Sequence, residues 1–375
     1  QDSGQDSVNK QAMKFTPTIK ETAWTILVFA IMLLCATSAT AQKGNGKEGT
    51  LTGKMIDGTK EIFKDTENFI EHTLDEKDSL YVSPDLFNLT VMPQYSYCYE
   101  YYRFSAHDSE QSITLAPNNS NKVGLYLGWR WIFLGYSFDI SGNSPQTDLN
   151  FSFYTAAVGI DLFYRKRSEG YRVRRLNGFY QDNNKELTDF NHRFDGLSVK
   201  QKGLNLYYIF NNKKFSYRAA YSHTTNQRIS TGSFILGLTY NEQSFLFNHS
   251  KFDTPIREQI DNELKFENVR YKDFSINFGY SYNWVFAKDF LANISMTPAV
   301  GYKNTSLNLK SSKEFLSSIN FDFITRAAVV YNNSRYYAGA SLVAHTYSYN
   351  KSTFSILNGF GVINVYFGVN FWRRK

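Results

Sequence analysis

Seven charged residues fall where the local alternation turns them away from an apolar face: Glu100, Arg130, Asp139, Asp161, Arg218, Asp322 and Arg326. Four are acids and three are bases, spread over much of the chain, which fits a lattice of ion pairs better than a catalytic cluster. Charges enclosed within a membrane protein are costly and are paired or wetted. Asp322 and Arg326 stand four residues apart on one strand face and are expected to share that lattice. A narrow polar pore, its selectivity tuned by mixed charge, is the alternative use of the same side chains.

Covalent chemistry has thinner support. Of six histidines, His249 is followed by Ser250 with Asp253 nearby, the types a lipid hydrolase would need at a barrel rim. His223-Thr224-Thr225-Asn226 carries threonine where a His-x-Ser pair needs serine. The sequence shows no metal cluster, phosphate loop or dinucleotide motif, so no cofactor is expected. Of two cysteines, Cys35 lies in a segment expected to be removed. Cys98 alone makes neither an internal disulfide nor a cysteine zinc site.

The elements that position these residues are strands. Phe274, Ile276, Phe278, Tyr280, Tyr282 and Trp284 alternate with Ser275, Asn277, Gly279, Ser281 and Asn283. The same period recurs from Phe290 to Tyr302 and from Ile363 to Phe371. Such runs outlast the ~5–6 residues of an ordinary soluble strand. Their polar parity is small and neutral, and aromatics, 17% of the 375 residues, gather at the ends of the apolar parity. A transmembrane β-barrel has this signature, with aromatic girdles and a polar lumen. The fold expected is all-β: an antiparallel barrel of about twelve strands over 81–375 with a short N-terminal periplasmic helix.

The expected strands are 86–104, 122–130, 131–140, 150–166, 200–211, 213–225, 233–247, 272–286, 289–303, 315–332, 335–349 and 355–372. With both ends in the periplasm, 105–121, 141–149, 248–271 and 304–314 fall outside. This scheme makes Asn211-Asn212-Lys213-Lys214 a tight external turn and 167–198 a long periplasmic excursion. Nine inward glycines, Gly124, Gly128, Gly135, Gly159, Gly237, Gly279, Gly301, Gly339 and Gly368, favour tight curvature and a narrow barrel.

The N-terminus reads as an address. Residues 1–12 are a polar extension before Met13, the expected start. Basic Lys14 and Lys20, the apolar run Ala23–Ala36 and the A-x-A site Ala39-Thr40-Ala41 describe a signal peptide over 13–41, cut between Ala41 and Gln42. A retained anchor is disfavoured because the run is shorter than the ~20 residues a spanning helix needs. A lipoprotein signal is disfavoured because Leu34, before Cys35, is not small. Residues 42–80 then hold a linker and an amphipathic helix over 56–76, with Ile56, Phe63 and Ile70 on one stripe. That helix is expected under the barrel mouth, with a docking helix for a periplasmic protein partner or a lumen plug as the sharper reading.

The last strand carries an assembly signal in Tyr366, Gly368, Phe371 and Trp372, read by the outer-membrane assembly machinery during biogenesis. A net charge of +7 suits contact with outer-membrane lipid and lipopolysaccharide. The charges read as unclustered, so nucleic acid is not an expected partner.

Several stretches carry a resemblance: Lys122-Val123-Gly124-Leu125-Tyr126-Leu127-Gly128, Gly178-Phe179-Tyr180, the run from Phe210 through Asn211, Asn212, Lys213, Lys214, Phe215, Ser216, Tyr217, Arg218 and Ala219 to Ala220, and Thr231-Gly232-Ser233-Phe234. By these the chain resembles an uncharacterised family of Bacteroidetes outer-membrane barrel proteins, over most of 78–375. The resemblance implies a barrel and no known activity. The function expected is a structural or accessory component of the cell envelope, in a larger outer-membrane assembly. A narrow channel for small polar solutes is the alternative, and a rim-sited lipid-modifying enzyme the second.

Overall fold

Along the strand Phe266–Ala287 the side chains alternate between buried and exposed almost without interruption. Its exposed parity is the apolar one: Phe274, Ile276, Phe278 and Trp284 are all more than half exposed. A sheet with its greasy face outward and its polar face inward suits lipid around a closed barrel. In hydrocarbon every backbone group must be paired, so such a sheet must have no free edge.

The computed structural model describes residues 65, 67–141, 146–180, 186–187, 189–309, 313–350 and 354–374. Met13, Cys35, the cleavage site at Ala41 and Gln42, and the linker 42–53 lie outside the described residues. Of the helix expected over 56–76, a short helix is present at 67–74, π-helical over Ile70–Leu74, while its stripe residues Ile56 and Phe63 lie outside the described residues.

Fifteen strands follow among the described residues. They are β1 (Phe87–Ala106), β2 (Ser112–Pro117), β3 (Ser120–Trp129), β4 (Ile132–Asp139) and β5 (Gln146–Tyr154). Next come β6 (Val158–Arg167), β7 (Tyr171–Asn177), β8 (Asp189–Phe194), β9 (Leu197–Ile209) and β10 (Thr231–Phe247). The last are β11 (Phe266–Ala287), β12 (Phe290–Leu309), β13 (Lys313–Asn332), β14 (Tyr336–Asn350) and β15 (Phe354–Arg373). Twelve form an antiparallel barrel, closed where β1 pairs with β15 from Phe87↔Arg373 to Ala106↔Phe354. The other three, β2, β7 and β8, extend one edge, with β2 pairing to the far end of β1.

Both barrel ends and the short turns at Arg130–Trp131, 155–157, 288–289 and 333–335 share one mouth, the periplasmic one by the usual asymmetry of loop lengths. The count of twelve is as expected, but two assignments change. Residues 150–166 are two strands, not one. Thr155 Oγ1 accepts from Val158 N (2.9 Å), and this turn reverses the chain without glycine or proline. Residues 213–225 are not a strand. They hold the helix α1 (Tyr217–Tyr221), enclosed by a wall that is complete without them. These two changes invert the local topology. The excursion 167–198 is external and carries β7 and β8, while Asn211–Lys214 turns at the periplasmic mouth.

Candidate functional site: a lumen filled by the chain itself

The periplasmic end of the lumen is occupied by two segments, 75–86 and 210–230. Ser216 caps α1, its Oγ accepting from Ala219 N (3.2 Å). The aromatics that made this stretch look like a strand sit one turn apart, Tyr217 and Tyr221, with ring centroids 4.7 Å apart. Ala219 and Ala220 let the helix pack closely on Leu291, Ala328 and Val330 of the wall.

Arg218 leaves α1 toward two carboxylates. Its Nη1 contacts both oxygens of Asp75 (2.9 and 3.1 Å), and its Nη2 contacts Asp85 Oδ2 (3.0 Å). Lys77 Nζ bridges the same carboxylates at 3.0 Å each. Trp131 Nε1 (2.9 Å) and Ala156 N (2.8 Å) also donate to Asp75. Burial pushes the Asp75 carboxyl up, but Arg218, Lys77 and the Trp131 hydrogen bond outweigh it and hold the group at about 2. Burial lowers the Arg218 guanidinium, and Asp85 and Asp75 more than restore it.

His223 follows at a left-handed φ of 60°. Its ring lies against Tyr337 and Tyr366, with centroids 4.7 and 4.5 Å away. The His223 carbonyl accepts from Asn332 Nδ2 (2.8 Å) and Asn370 Nδ2 (3.1 Å), pinning the plug to β13 and β15. Burial pushes this imidazole down to about 3, so it is neutral in the folded protein. Gln227 completes the seat: its Oε1 accepts from Ser216 N (2.9 Å) and Asn283 Nδ2 (3.0 Å).

The outer end is filled differently. Phe104, Phe245, Phe247, Phe266 and Tyr271 turn inward and meet Tyr171, Phe194, Phe252 and Ile256 from the external segments. On the β3–β6 side ion pairs replace this core. Lys122 pairs with Asp148, and Arg167 with Glu100 at 2.9 Å. Between the two fillings lies a cavity of about 250 Å³, lined by Asp161, Arg165, Arg326, His345 and Tyr347 among others.

Each expected lumen residue now has a place. Glu100 pairs with Arg167, and Asp161 lies 3.5 Å from Arg326. Asp322 pairs with Lys303 (3.0 Å), so Asp322 and Arg326 belong to separate pairs. Asp139 ends β4 and accepts from Ser141 N (2.7 Å). Arg130 is not in the lumen. It occupies a periplasmic turn at φ 53°, its side chain beside Asn88. Arg218 faces inward from the plug helix, not from a strand. Ser250 Oγ donates to Asn248 Oδ1 (2.6 Å), and Asp253 stands before the helix α2 (Thr254–Gln259), its carbonyl accepting from Ile256 N and Arg257 N without a side-chain cap.

Asp75, Lys77, Asp85, Lys122, Asp148, Arg165, Arg167 and Lys303 escape the sequence reading. Parity was the available signal for several of them. Lys122 shares it with Gly124, Lys303 with Gly301, and Arg165 and Arg167 with Asp161. Asp75 and Asp85 precede the first strand and carry no such mark. Among the assembly-signal residues, Tyr366 and Gly368 face inward while Phe371 and Trp372 are exposed.

Residues 76–371 match the family model of a domain of unknown function (DUF4421). No curated protein matches the chain. Among solved structures, the outer-membrane protease OmpT of Escherichia coli is similar at 10% identity and TM-score 0.36, covering 78% of this chain and 99% of that one. The toluene transporter TodX of Pseudomonas putida gives 8% identity, TM-score 0.29, and 78% and 92% coverage. The autotransporter NalP translocator domain of Neisseria meningitidis gives 8%, 0.30, and 85% and 97%. The closed barrel with its apolar exterior places the chain in the outer membrane of a Gram-negative bacterium.

Proposed function

The chain belongs to the DUF4421 family, a domain of unknown function, and we propose from its own geometry that it is a plugged barrel serving the envelope as a structural or accessory subunit. One observation carries this reading. The Arg218–Asp75–Asp85 clamp fixes the segment that follows the N-terminal helix inside the barrel, and Ala157 N donates to the Leu74 carbonyl (2.9 Å) beside it. Leu74 is thereby held at the periplasmic mouth, and the chain leading into it is the part we infer a periplasmic or membrane partner would engage.

The test is gentle detergent extraction of a C-terminally tagged protein, followed by mass spectrometry. One partner should co-purify in stoichiometric amount and be lost on deletion of 54–74, which spares Asp75. A protein that emerges alone, or a partner unaffected by the deletion, contradicts the subunit reading.

A second reading, a narrow channel for small polar solutes, is favoured by the cavity and its mixed charges. It requires that both fillings move aside. Conductance in planar bilayers that changes on Arg326→Gln would support it.

A further inference from the structure

Strand register gathers basic side chains on one outward quadrant of the barrel. Lys166 on β6 pairs with Lys200 on β9, Lys200 with Ser244 on β10, and Ser244 with Arg270 on β11. One step nearer the periplasm the row reads Tyr164, Lys202, Glu242 and Lys272. Five of these eight outward positions are cationic and one is acidic. Lys166, Lys200, Arg270 and Lys272 are exposed, and Lys202 keeps 45% of its side chain exposed while pairing with Glu242 at 3.2 Å. Lys200 Nζ stands 5.5 Å from the Tyr164 ring.

Their depth defines the partner. The next outward row is Leu162, Leu204, Tyr240 and Phe274, and from Phe274 to Trp284 the exterior of β11 is wholly apolar or aromatic. Those eleven residues rise about 26 Å with a strand tilt of about 40°, matching the ~25 Å apolar band of outer-membrane barrels. The cations therefore begin where hydrocarbon ends, on the outer-leaflet side. Next along, β12 offers neutral Asn304 and Ser306, so the basic patch has an edge.

We propose that Lys166, Lys200, Lys202, Arg270 and Lys272 bind the phosphate groups of an anionic outer-leaflet glycolipid of the lipid A type. Charge complementarity supplies the attraction. The aromatic row beneath, including Tyr240 and Phe274 at 4.8 Å between ring centroids, supports the acyl chains. Outward-facing lysines on long stems hold their ammonium groups at the headgroup level while the stems lie along apolar surface.

The test is binding of phosphorylated lipid A to the full-length protein in zwitterionic detergent. Dephosphorylated lipid A and inorganic phosphate serve as separate probes. The wild type should prefer phosphorylated lipid A, and Lys200→Gln/Arg270→Gln/Lys272→Gln should weaken binding at least about tenfold. Lys251→Gln/Arg257→Gln/Arg335→Gln removes the same charge from exposed positions elsewhere and should leave binding unchanged. Heat-dependent gel mobility confirms that each variant is folded. If the first triple variant fails to fold, Lys272→Gln alone should still weaken binding, and wild-type affinity should fall as salt rises. Equal binding by the wild type and the patch variant, equal loss in both triple variants, no preference for the phosphorylated lipid, or binding of inorganic phosphate alone would overturn the proposal.

Discussion

Arg218 and Asp75, 143 residues apart in sequence, meet inside the barrel at 2.9 Å with side chains that are 2% and 4% exposed. The contact joins a helix folded into the lumen to the segment preceding the first strand. It forms only when both are seated, which makes it a register device as much as a source of stability. Buried ion pairs roughly offset the cost of taking their charges out of water, whereas a pair with one partner removed leaves an uncompensated charge.

Removal of one partner should therefore be severe. Arg218→Met leaves Asp75 and Asp85 with Lys77 as their nearest cation and should cost about 3–5 kcal/mol of unfolding free energy in lipid vesicles. Arg218→Met with Asp75→Asn and Asp85→Asn should recover part of that loss. Urea titration of the two variants decides it, and a triple variant weaker than the single one would contradict the clamp.

Acid should act on the plug in two stages. His223 is neutral when folded, held at about 3 by burial, and its ordinary value is 6.5. Between these values the unfolded chain binds a proton that the folded one does not, so stability declines as pH falls from 7 toward 3. Asp75 behaves as a depressed carboxyl, at about 2 against 3.8. Its contribution is complete above about pH 4 and disappears as pH falls through about 2. His223→Phe should make the first stage shallower and leave the second, as read by unfolding midpoints across pH.

Close approach inside the wall is equally testable. Gly135 faces Tyr126 across the β3–β4 ladder, and a methyl group there would overlap the ring. Gly135→Val should destabilise by about 1–3 kcal/mol, and adding Tyr126→Ala should relieve the overlap. A double-mutant cycle that shows no coupling would remove this pair from the account.

How far sequence reaches can be read from individual elements. β11 and β12 were legible because each side chain had one environment, lipid or lumen, and the period of two follows. The stretch 213–225 misled because Tyr217, Ala219 and Tyr221 alternate like a strand. Their partners are not strand neighbours but the lumen wall, which no local pattern encodes, and the Ser216 cap, a local helix-start signal that the alternation overrode. The run from Arg165 to Arg175 holds closely spaced cations, yet it reads as unclustered because strand alternation divides them. Lys166 goes to the lipid side, Arg165 and Arg167 to the lumen, and Arg172 and Arg174 to Asn191 on the external sheet. The basic patch exists only across strands, where register brings Lys200 and Arg270 onto the same row.

Single-channel recording of the purified protein in planar bilayers tests the central claim most directly. A barrel filled at both ends by its own chain predicts no conductance steps from the wild type under moderate voltage. Reproducible steps from the wild type, altered by Arg326→Gln, would show an open lumen and contradict the account.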